Sequence, residues 1–526
     1  MLTETRLTVR LDGAALERLR THPVVRQLRQ QRTINRRVRA VYYDTAERRL
    51  QKQSLSLALS HVVVGRDDAV EPMPVGAALH MVLRQDTDTP WVGRVWRWDI
   101  PAATEMPPAL NALPAAIDAP LPVLRDGLPP GLQPIFVEDV QRANCLIGDA
   151  AWEAEFIVDQ GRLIAHDRTE TLAEASFILR RGDPSNLFQL TAQLGLSLPI
   201  RVSGLTVADR GHALVTGQAP QSRKAPPVPL AADATVAEAF RAIARSCIGQ
   251  ILVNQECLTA TGAPESIHQM RVGLRRLRSA VSVFRPLIAS PETDGVKEEL
   301  RRLQETLGPA RDADVFVSEI LMPARTIFAD DREFQALAEV FRARHRAAHE
   351  VARAAVTDFG FARLLMRFAL WADGEGWLEA VRQFGPADPD EPARAFAANI
   401  LERRHRRMSR AMQNLATIDD AARHRARIET KKFRYALEFF ASLFDVKKVQ
   451  RVAGVAAQLQ EALGNLNDIA VARATLQAEA VKSGDPAFLW SAGLIAGWHA
   501  ARKTGAMQNA QKSWDVLRKL PRFWGK

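Results

Sequence analysis

The chain has 526 residues, beyond the roughly 250 to 300 at which a single hydrophobic core stops growing, so we expect more than one domain. Apolar residues make up 47% and charged residues 25%, with 29 glycines and 29 prolines, which excludes a collagen-like or largely disordered chain. The three cysteines, Cys145, Cys247 and Cys257, have neither a CxxC spacing nor a histidine at zinc spacing. We therefore expect neither a disulfide scaffold nor a structural zinc site, and no cofactor.

The net charge of 71 − 60 = +11 lies mainly in the carboxyl-terminal part, with +2 up to residue 230 and +9 after it. Such an excess favours a polyanionic partner: nucleic acid, an anionic membrane or a polyphosphorylated ligand. The first ten residues, MLTETRLTVR, lack the features of a secretory signal, and arginines interrupt even the apolar stretch from Phe361 to Trp371. These patterns predict a soluble, cytoplasmic protein without a membrane partner.

A proline-rich segment predicts the main domain boundary. The sequence TGQAPQSRKAPPVPL at 216–230 has four prolines and no apolar periodicity, which is typical of a linker. We predict a first domain at 1–215, the linker at 216–230, a second domain at 231–517 and a short tail at 518–526.

The two predicted domains differ in secondary structure. The first alternates short β-like runs with two helical patterns and is predicted to be α+β with an antiparallel sheet. Long amphipathic helices follow from about residue 235 to 517, which predicts an all-α domain. The β-like runs are Leu7–Leu11, Leu55–Val64, Trp91–Ile100, Trp152–Asp159 and Ala175–Arg180, and the early helical patterns are Gly13–Leu28 and Pro184–Leu194.

The helical half contains an internal repeat with a constant offset of 156 residues. His268 maps to His424, Arg271 to Arg427, and the segment LQETLGPARDADV from 303 to LQEALGNLNDIAV from 459. Two related helical units, arranged as a pair of pseudo-symmetric four-helix bundles, are the simplest interpretation.

Glycine and aspartate recur within the repeat. Gly308 and Gly464 are predicted as helix C-caps, and Asp312 and Asp468, four residues later, as N-caps of the following helices. For these aspartates and for Asp314 we favour a structural role, capping or pairing with arginine, over metal binding.

Cations form a stripe on one helix face in each repeat. At 100° per residue, His268, Arg271, Arg275, Arg278 and Arg285 share an arc of about 100°, away from the apolar arc. The second copy repeats the stripe with His424, Arg427, Lys431 and Arg434. Most charge runs are solvated helix faces. The first stripe, however, lacks acidic partners one turn away, and a polyanion would relieve the resulting repulsion.

The repeat resembles the CHAD family, the conserved-histidine α-helical domains. The resemblance rests on HQMRVGLRRLRSAVSVFRP from 268, HRARIETKKFRYALEFF from 424 and the two LQE-LG-D segments, and it spans about 236–476 and on to 517. It implies a basic surface that binds inorganic polyphosphate, and association with polyphosphate granules. Carried over by position, the binding residues are His268, Arg271, Arg275, Arg276, Arg278, His424, Arg427, Lys431, Lys432 and Arg434.

The first 215 residues resemble the CYTH family, the triphosphate tunnel fold. The marks are VYYDT from 41, VRLDGAALERLR from 9, GDPSNLFQLTAQL from 182 and ADRGHAL from 208. The resemblance implies an eight-stranded antiparallel β-barrel tunnel lined by acidic metal ligands and basic phosphate ligands.

The tunnel motif of the CYTH family is degenerate in this sequence. Where the family has ExExK on the first strand, this chain has one carboxylate, one arginine and no lysine. Because metal-assisted hydrolysis needs several coincident ligands, we predict a tunnel without catalytic residues or metal, in which Glu4, Asp99, Glu174, Asp209 and Arg210 are ordinary barrel residues. The departures are Glu4, Arg6 and Thr8 on the first strand, Ala58 and Ser60 on the arginine-bearing strand, Glu174, Ser176 and Ile178 on the glutamate-bearing strand, and Val207 in place of a lysine.

The leading hypothesis is thus a non-enzymatic polyphosphate-binding protein located at polyphosphate granules. A metal-dependent triphosphatase is the enzyme alternative, and the missing ExExK argues against it. A nucleic-acid-binding or scaffold protein is the third possibility. It is less favoured because only Tyr435 offers an aromatic ring near the stripes.

Overall fold

The computed structural model describes residues 2–63, 79–87, 91–100, 129–328, 330–384 and 387–525. They form two compact units with interleaved ranges. The first unit comprises 1–223, 248–266 and 357–373, and the second comprises 224–247, 267–356 and 374–526. The first unit therefore takes in two helical segments from later in the chain, and the division at 216–230 stays a prediction.

A closed β-barrel forms most of the first unit. Its eight strands pair antiparallel in the order β1-β5-β4-β3-β2-β6-β7-β8, and β8 pairs with β1 to close it, while the short β9 also pairs with β1. This confirms the predicted eight-stranded antiparallel barrel. The strands are β1 Leu2–Arg10, β2 Ile34–Asp44, β3 Leu55–Val63, β4 Leu79–Asp86, β5 Val92–Ile100, β6 Gln133–Gly148, β7 Glu153–Ala165, β8 Arg168–Arg181 and β9 Arg201–Val202.

Side chains of β1 alternate between two environments. Leu7 and Val9 are buried in the apolar core. Arg6 and Thr8 lie on the other face, where the Arg6 Nη2 donates to Ser176 Oγ of β8 at 3.0 Å and Thr8 Oγ1 lies 2.9 Å from the same oxygen. The period of two along the strand thus separates an apolar layer from a polar one.

Four short helices accompany the barrel: α1 Gly13–Arg20, α2 Pro23–Leu28, α3 Ser185–Leu194 and α4 Val207–Thr216. The single helical pattern predicted over Gly13–Leu28 is divided because Pro23 cannot donate a backbone hydrogen bond and instead occupies the first turn of α2. Residues Val207 and Leu214 of α4 pack on a small apolar cluster of barrel residues.

The remaining helices follow the linker segment. They are α5 Val236–Thr261, α6 Pro264–Val283, α7 Arg285–Ile288, α8 Pro291–Thr306, α9 Gly308–Val315, α10 Met322–Arg325, α11 Arg332–Thr357, α12 Phe359–Asp373, α13 Gly376–Phe384, α14 Ala393–Ala411, α15 Asp420–Phe439, α16 Val446–Ser483, α17 Pro486–Ala501 and α18 Lys503–Leu517. This confirms the predicted all-α region. Among the described residues no helix is both long and apolar enough to cross a membrane.

The helix boundaries follow the internal repeat. Adding 156 to α6, 264–283, gives 420–439, the bounds of α15. Likewise 291 + 156 = 447, one residue from the start of α16. The copies are not identical: α16 is continuous, whereas its counterpart breaks at Leu307 and contains a π-helical turn at Phe316–Leu321.

The predicted caps at the repeated glycines are wrong. Gly464 and Asp468 both lie inside the continuous α16. Gly308 is the first residue of α9, and Asp312 lies within that helix, so neither aspartate is an N-cap. Glycine costs a helix interior only about 1 kcal/mol relative to alanine, and packing of a long helix readily offsets that.

The linker and the tail both make specific contacts within their own units. Leu230 N donates to Ser442 Oγ at 3.0 Å, and that hydroxyl donates to Val228 O at 2.9 Å. In the predicted tail, Trp524 Nε1 donates to Glu402 at 3.2 Å, and its ring packs on Phe433. The tail thus belongs to the packed structure of the second unit.

Two glycine-to-alanine substitutions should change stability in opposite directions. A Cβ at Gly211 in α4 would lie 2.2 Å from the Phe136 ring, so we expect Gly211→Ala to destabilise the barrel by about 1–3 kcal/mol through overpacking. Gly454 in α16 faces open space, so Gly454→Ala should stabilise its helix by about 0.5–1 kcal/mol. Calorimetry of the full chain measures both, and equal shifts would contradict the packing assigned to α4.

Candidate functional site

The predicted cationic stripes lie on α6 and α15, the two copies of one helix in the second unit. His268, Arg271 and Arg275 are half-buried on α6, and Arg278 is exposed. On α15, His424 is exposed, whereas Arg427, Lys431 and Arg434 are half-buried. Most of these cations are therefore partly withdrawn from water.

The structure brings the two stripes together. Arg275 of the first copy lowers the pKa of both Arg427 and Lys431 of the second copy through charge repulsion. Arg434 acts on Lys431 in the same way. We call these cations and their stripe neighbours the basic cluster and define it by Arg271, Arg275, Arg278, Arg427, Lys431 and Arg434.

Two aspartates lie at this surface, one from each copy. Asp312 attracts Arg271, and Asp468 attracts Arg427 and Lys431. Burial raises the pKa of Asp312, and the nearby Asp468 raises it further, against the effect of Arg271. Each aspartate thus acts on an arginine of the same copy as a nearby opposite charge. With six cations and two aspartates, the local formal charge is 6 − 2 = +4.

Burial and mutual repulsion disfavour the charged forms of several side chains in the basic cluster. Burial, and then the neighbouring cations, lower the pKa of Arg271 and of Arg427. The same causes, burial first and then Arg427 and Arg275, lower the pKa of Lys431 from 10.5 to about 7. An anion at this surface would reverse the repulsion and favour the charged lysine.

Several guanidinium Nε donors at the cluster have no partner among the residues that the structure describes. The Nε atoms of Arg271, Arg275, Arg427 and Arg434 are buried and make no hydrogen bond to any described residue. Other donors do have partners: Arg271 Nη1 donates to Gln304 O at 2.7 Å, and Arg278 to the side chain of Gln304. A buried donor without an acceptor costs about 1–3 kcal/mol, which a bound ligand oxygen would recover.

The second histidine is held in place by the acidic side of the cluster. His424 Nδ1 lies 2.8 Å from Asn467 Oδ1, and Asn467 Nδ2 donates to Asp468 Oδ1 at 3.2 Å. These contacts orient the ring at the edge of the surface that Arg427 occupies.

Two of the ten predicted site residues lie elsewhere. Arg276 is buried, 3.4 Å from Ser246 Oγ, and its guanidinium lies over the Phe439 ring at 5.9 Å. Lys432 Nζ donates to Glu429 at 2.6 Å. Both have a protein environment of their own, so they are left out of the basic cluster.

The barrel interior is a second polar site, made of paired charges. Glu4 accepts from Arg84 Nη1 at 2.9 Å and from Arg97. Asp159 accepts two bonds from Arg142, at 2.7 and 2.9 Å. In the same way, Glu174 accepts from Arg210 Nη1 at 2.9 Å.

Interactions across the barrel identify this face as its interior. Arg6 on β1 lowers the pKa of Glu138 on β6 and of Tyr42 on β2, although β1 pairs with neither strand. Burial is the larger cause and raises the pKa of both groups. Sequence reasoning missed the interior residues Arg84, Arg97, Glu138, Arg142 and Asp159. A signal was present, because Glu138 and Arg142 are four residues apart and therefore lie on the same face of β6.

The other polar residues predicted as ordinary have local structural roles. Asp209 forms a reciprocal capping box with Thr206 at the start of α4 and pairs with Arg223 at 2.7 Å. Asp99 pairs with the exposed His80 at 2.6 Å.

The helical part of the chain is similar to a known family. The family model for the CHAD domain matches residues 242–477. The crystal structure of the CHAD domain from the plant Ricinus communis is 28% identical, with a TM-score of 0.50, covering 57% of this chain and 98% of that one. PptA from Streptomyces chartreusis is 17% identical over 54% of this chain and 100% of its own, with a TM-score of 0.43.

A short part of the chain is similar to a curated relative. The inorganic triphosphatase of Haemophilus influenzae is 32% identical over 87 residues, which are 16% of this chain and 25% of that protein. The match thus spans about a quarter of the relative's length.

The lowered pKa of Lys431 should make its amine reactive near neutral pH. At a pKa of about 7 a large fraction is the uncharged nucleophile, so we expect amine-directed acetylation to modify Lys431 early. The adjacent Lys432, ion-paired with Glu429, is the internal control and should react later. Peptide mass spectrometry of briefly acetylated protein measures both, and equal labelling would contradict the burial described for Lys431.

Proposed function

We propose that this chain, whose residues 242–477 form a domain of the CHAD family, binds inorganic polyphosphate without hydrolysing it. The observation that carries the proposal is the convergence of both cationic stripes into one cluster. Arg275 of one copy lies close enough to Arg427 and Lys431 of the other to lower their pKa. The binding residues are the six of the basic cluster together with His268 and His424.

The chemistry of the cluster suits a chain of phosphate groups. Guanidinium groups donate in pairs to phosphate oxygens, and lysine supplies a compact charge. The buried Nε donors of Arg271 and Arg427 occupy equivalent positions in the two copies, so they offer successive contacts to a linear polyanion. Binding should also protonate Lys431, so that proton uptake accompanies it near and above pH 7. Location at polyphosphate granules is part of the same proposal.

The enzyme alternative is a triphosphatase in the barrel, favoured by the relative from Haemophilus influenzae. The interior carboxylates of Glu4, Asp159 and Glu174 already accept hydrogen bonds from arginines. A divalent metal needs such oxygens as ligands, and the competing guanidinium groups disfavour it. The barrel interior therefore supports a scaffold role better than metal-assisted hydrolysis.

Nucleic acid is the remaining alternative. Single-stranded nucleic acid is bound by aromatic rings that stack on bases, placed between the cations. Tyr435, the aromatic residue next to the α15 stripe, is buried against Phe439 and Arg434 and offers no exposed face for stacking. The cluster therefore suits a ligand made of phosphate groups better than one whose bases must be stacked.

Charge reversal at the cluster should abolish polyphosphate binding. We expect Arg271→Glu with Arg427→Glu to raise the Kd for long-chain polyphosphate by about 100-fold or more, because two phosphate donors become two repelling carboxylates. Arg382→Glu with Arg518→Glu is the matched control. It makes the same change in net charge at arginines that pair with Asp390 and Asp515 outside the cluster, and it should bind almost as the wild type does.

The measurement is fluorescence anisotropy with end-labelled polyphosphate, titrated with salt and competed with duplex and single-stranded DNA. Affinity should fall steeply with salt, DNA should compete poorly, and phosphate release with Mg²⁺ or Mn²⁺ should stay at background. Equal loss of affinity in both double variants would mean that net charge alone drives binding. Consumption of the polymer, abolished by Glu174→Gln, would establish the triphosphatase instead.

A further inference from the structure

Three side chains outside the basic cluster converge on one point in the second unit. Nε2 of His345 lies 2.8 Å from Asp314 Oδ1, and Nε2 of His349 lies 2.6 Å from the same oxygen. The two imidazole rings are 4.3 Å apart. The three potential ligand atoms all lie within 4.8 Å of one another.

Local structure explains this convergence. His345 and His349 are four residues apart on α11, so their side chains lie one above the other on a single helix face. Asp314 comes from α9, just before the π-helical turn at Phe316–Leu321. The rings therefore approach the carboxylate from one side.

Simple hydrogen bonding leaves part of this arrangement unexplained. Only 4% of the Asp314 side chain is exposed, and its buried Oδ2 has no hydrogen-bond partner among the described residues. Both histidines are directed at Oδ1 instead of one at each oxygen. A buried carboxylate oxygen with no partner is costly, whereas a cation would use it.

We propose that Asp314, His345 and His349 form a binding site for a divalent transition metal of the zinc class. Two imidazole nitrogens and one carboxylate are ligands that Zn²⁺ accepts, at roughly 2.0–2.2 Å. The ligand atoms would move apart slightly to that distance, since tetrahedral ligands around zinc are separated by about 3.3 Å. His345, with 26% of its side chain exposed, leaves a fourth position open to water.

Three arginines of α11 that lie near the two histidines in sequence pair with other carboxylates. Arg342 and Arg346 on α11 both pair with Glu339, and Arg344 pairs with Glu479. The carboxylate of Asp314 therefore remains available to a cation. The proposal is independent of polyphosphate binding, because none of the three ligands belongs to the basic cluster.

The site is tested with Co²⁺ and Zn²⁺ on the full chain, after chelator treatment and without polyphosphate. Co²⁺ should bind at one equivalent and give the visible absorption of a low-coordinate nitrogen and oxygen site, and Zn²⁺ should displace it. His349→Ala and the nearly isosteric Asp314→Asn should each weaken binding by about 100-fold. His349→Cys keeps a zinc ligand and should restore it. The control is His80→Ala, which breaks an exposed histidine–aspartate pair and should bind as the wild type does.

Thermal unfolding separates a metal site from a hydrogen-bonded cluster. For a metal site, Zn²⁺ raises the unfolding temperature of the wild type but not of Asp314→Asn. If both variants are less stable yet the metal shifts none of the proteins, the three residues only hold α11 to α9, and the proposal is wrong. Absence of one-to-one Co²⁺ binding by the wild type also overturns it. Polyphosphate binding in the presence of chelator is unaffected by either result.

Discussion

Repulsion between cations of the two repeat copies is the constraint on which the second unit depends. Arg275 and Arg427 are held near one another and near Lys431, partly out of water, and the pKa of the lysine falls to about 7 as a consequence. Packing of the apolar faces of α6 and α15 must overcome this repulsion, since burial of Met270, Leu274 and Phe433 is what places the helices. The free energy stored there becomes available to any anion that neutralises it.

The barrel resolves a similar problem in the opposite way. Its interior also carries buried charges, but there the carboxylates of Glu4, Asp159 and Glu174 accept hydrogen bonds from arginines of the same unit. Arg142 with Asp159 and Arg210 with Glu174 are examples. Because removing one member of such a pair leaves an uncompensated buried charge, the interior network is costly to alter. One unit thus satisfies its charges internally, while the other leaves donors available.

Sequence periodicity predicted the fold well where one face of an element is apolar. The pattern predicted an antiparallel sheet, the all-helical region and the 156-residue repeat, and the repeat reproduces the bounds of α6 and α15 without error. The closed barrel was implied by the resemblance to the CYTH family. The runs named from the sequence omitted β2, β4 and β6, because charged residues interrupt the apolar runs that indicate strands. The helix caps failed because a glycine and a following aspartate occur equally well inside a long helix.

The sequence predicted a stripe of cations on each of two helices, but not that the two stripes lie near one another. At 100° per residue Arg276 lies outside the stripe that contains Arg275, and only the family resemblance added it to the predicted site; in the structure Arg276 packs on Phe439. Convergence of the two stripes required the packing of α6 and α15. For Asp314 the sequence favoured a structural role over metal binding, and its two histidines were not singled out, since residues 31 and 35 positions away come together with it only through tertiary structure.

The constant offset between the copies shows what duplication leaves free to change. The positions equivalent to Asp314, His345 and His349 are Ala470, Ala501 and Gly505, none of which can ligate a metal. The cations of α6 and α15 match in type across the copies, whereas this triad exists only where the counterpart of α16 is broken. A duplicated fold of this kind can retain one set of side chains in both copies and still change another set in one copy alone.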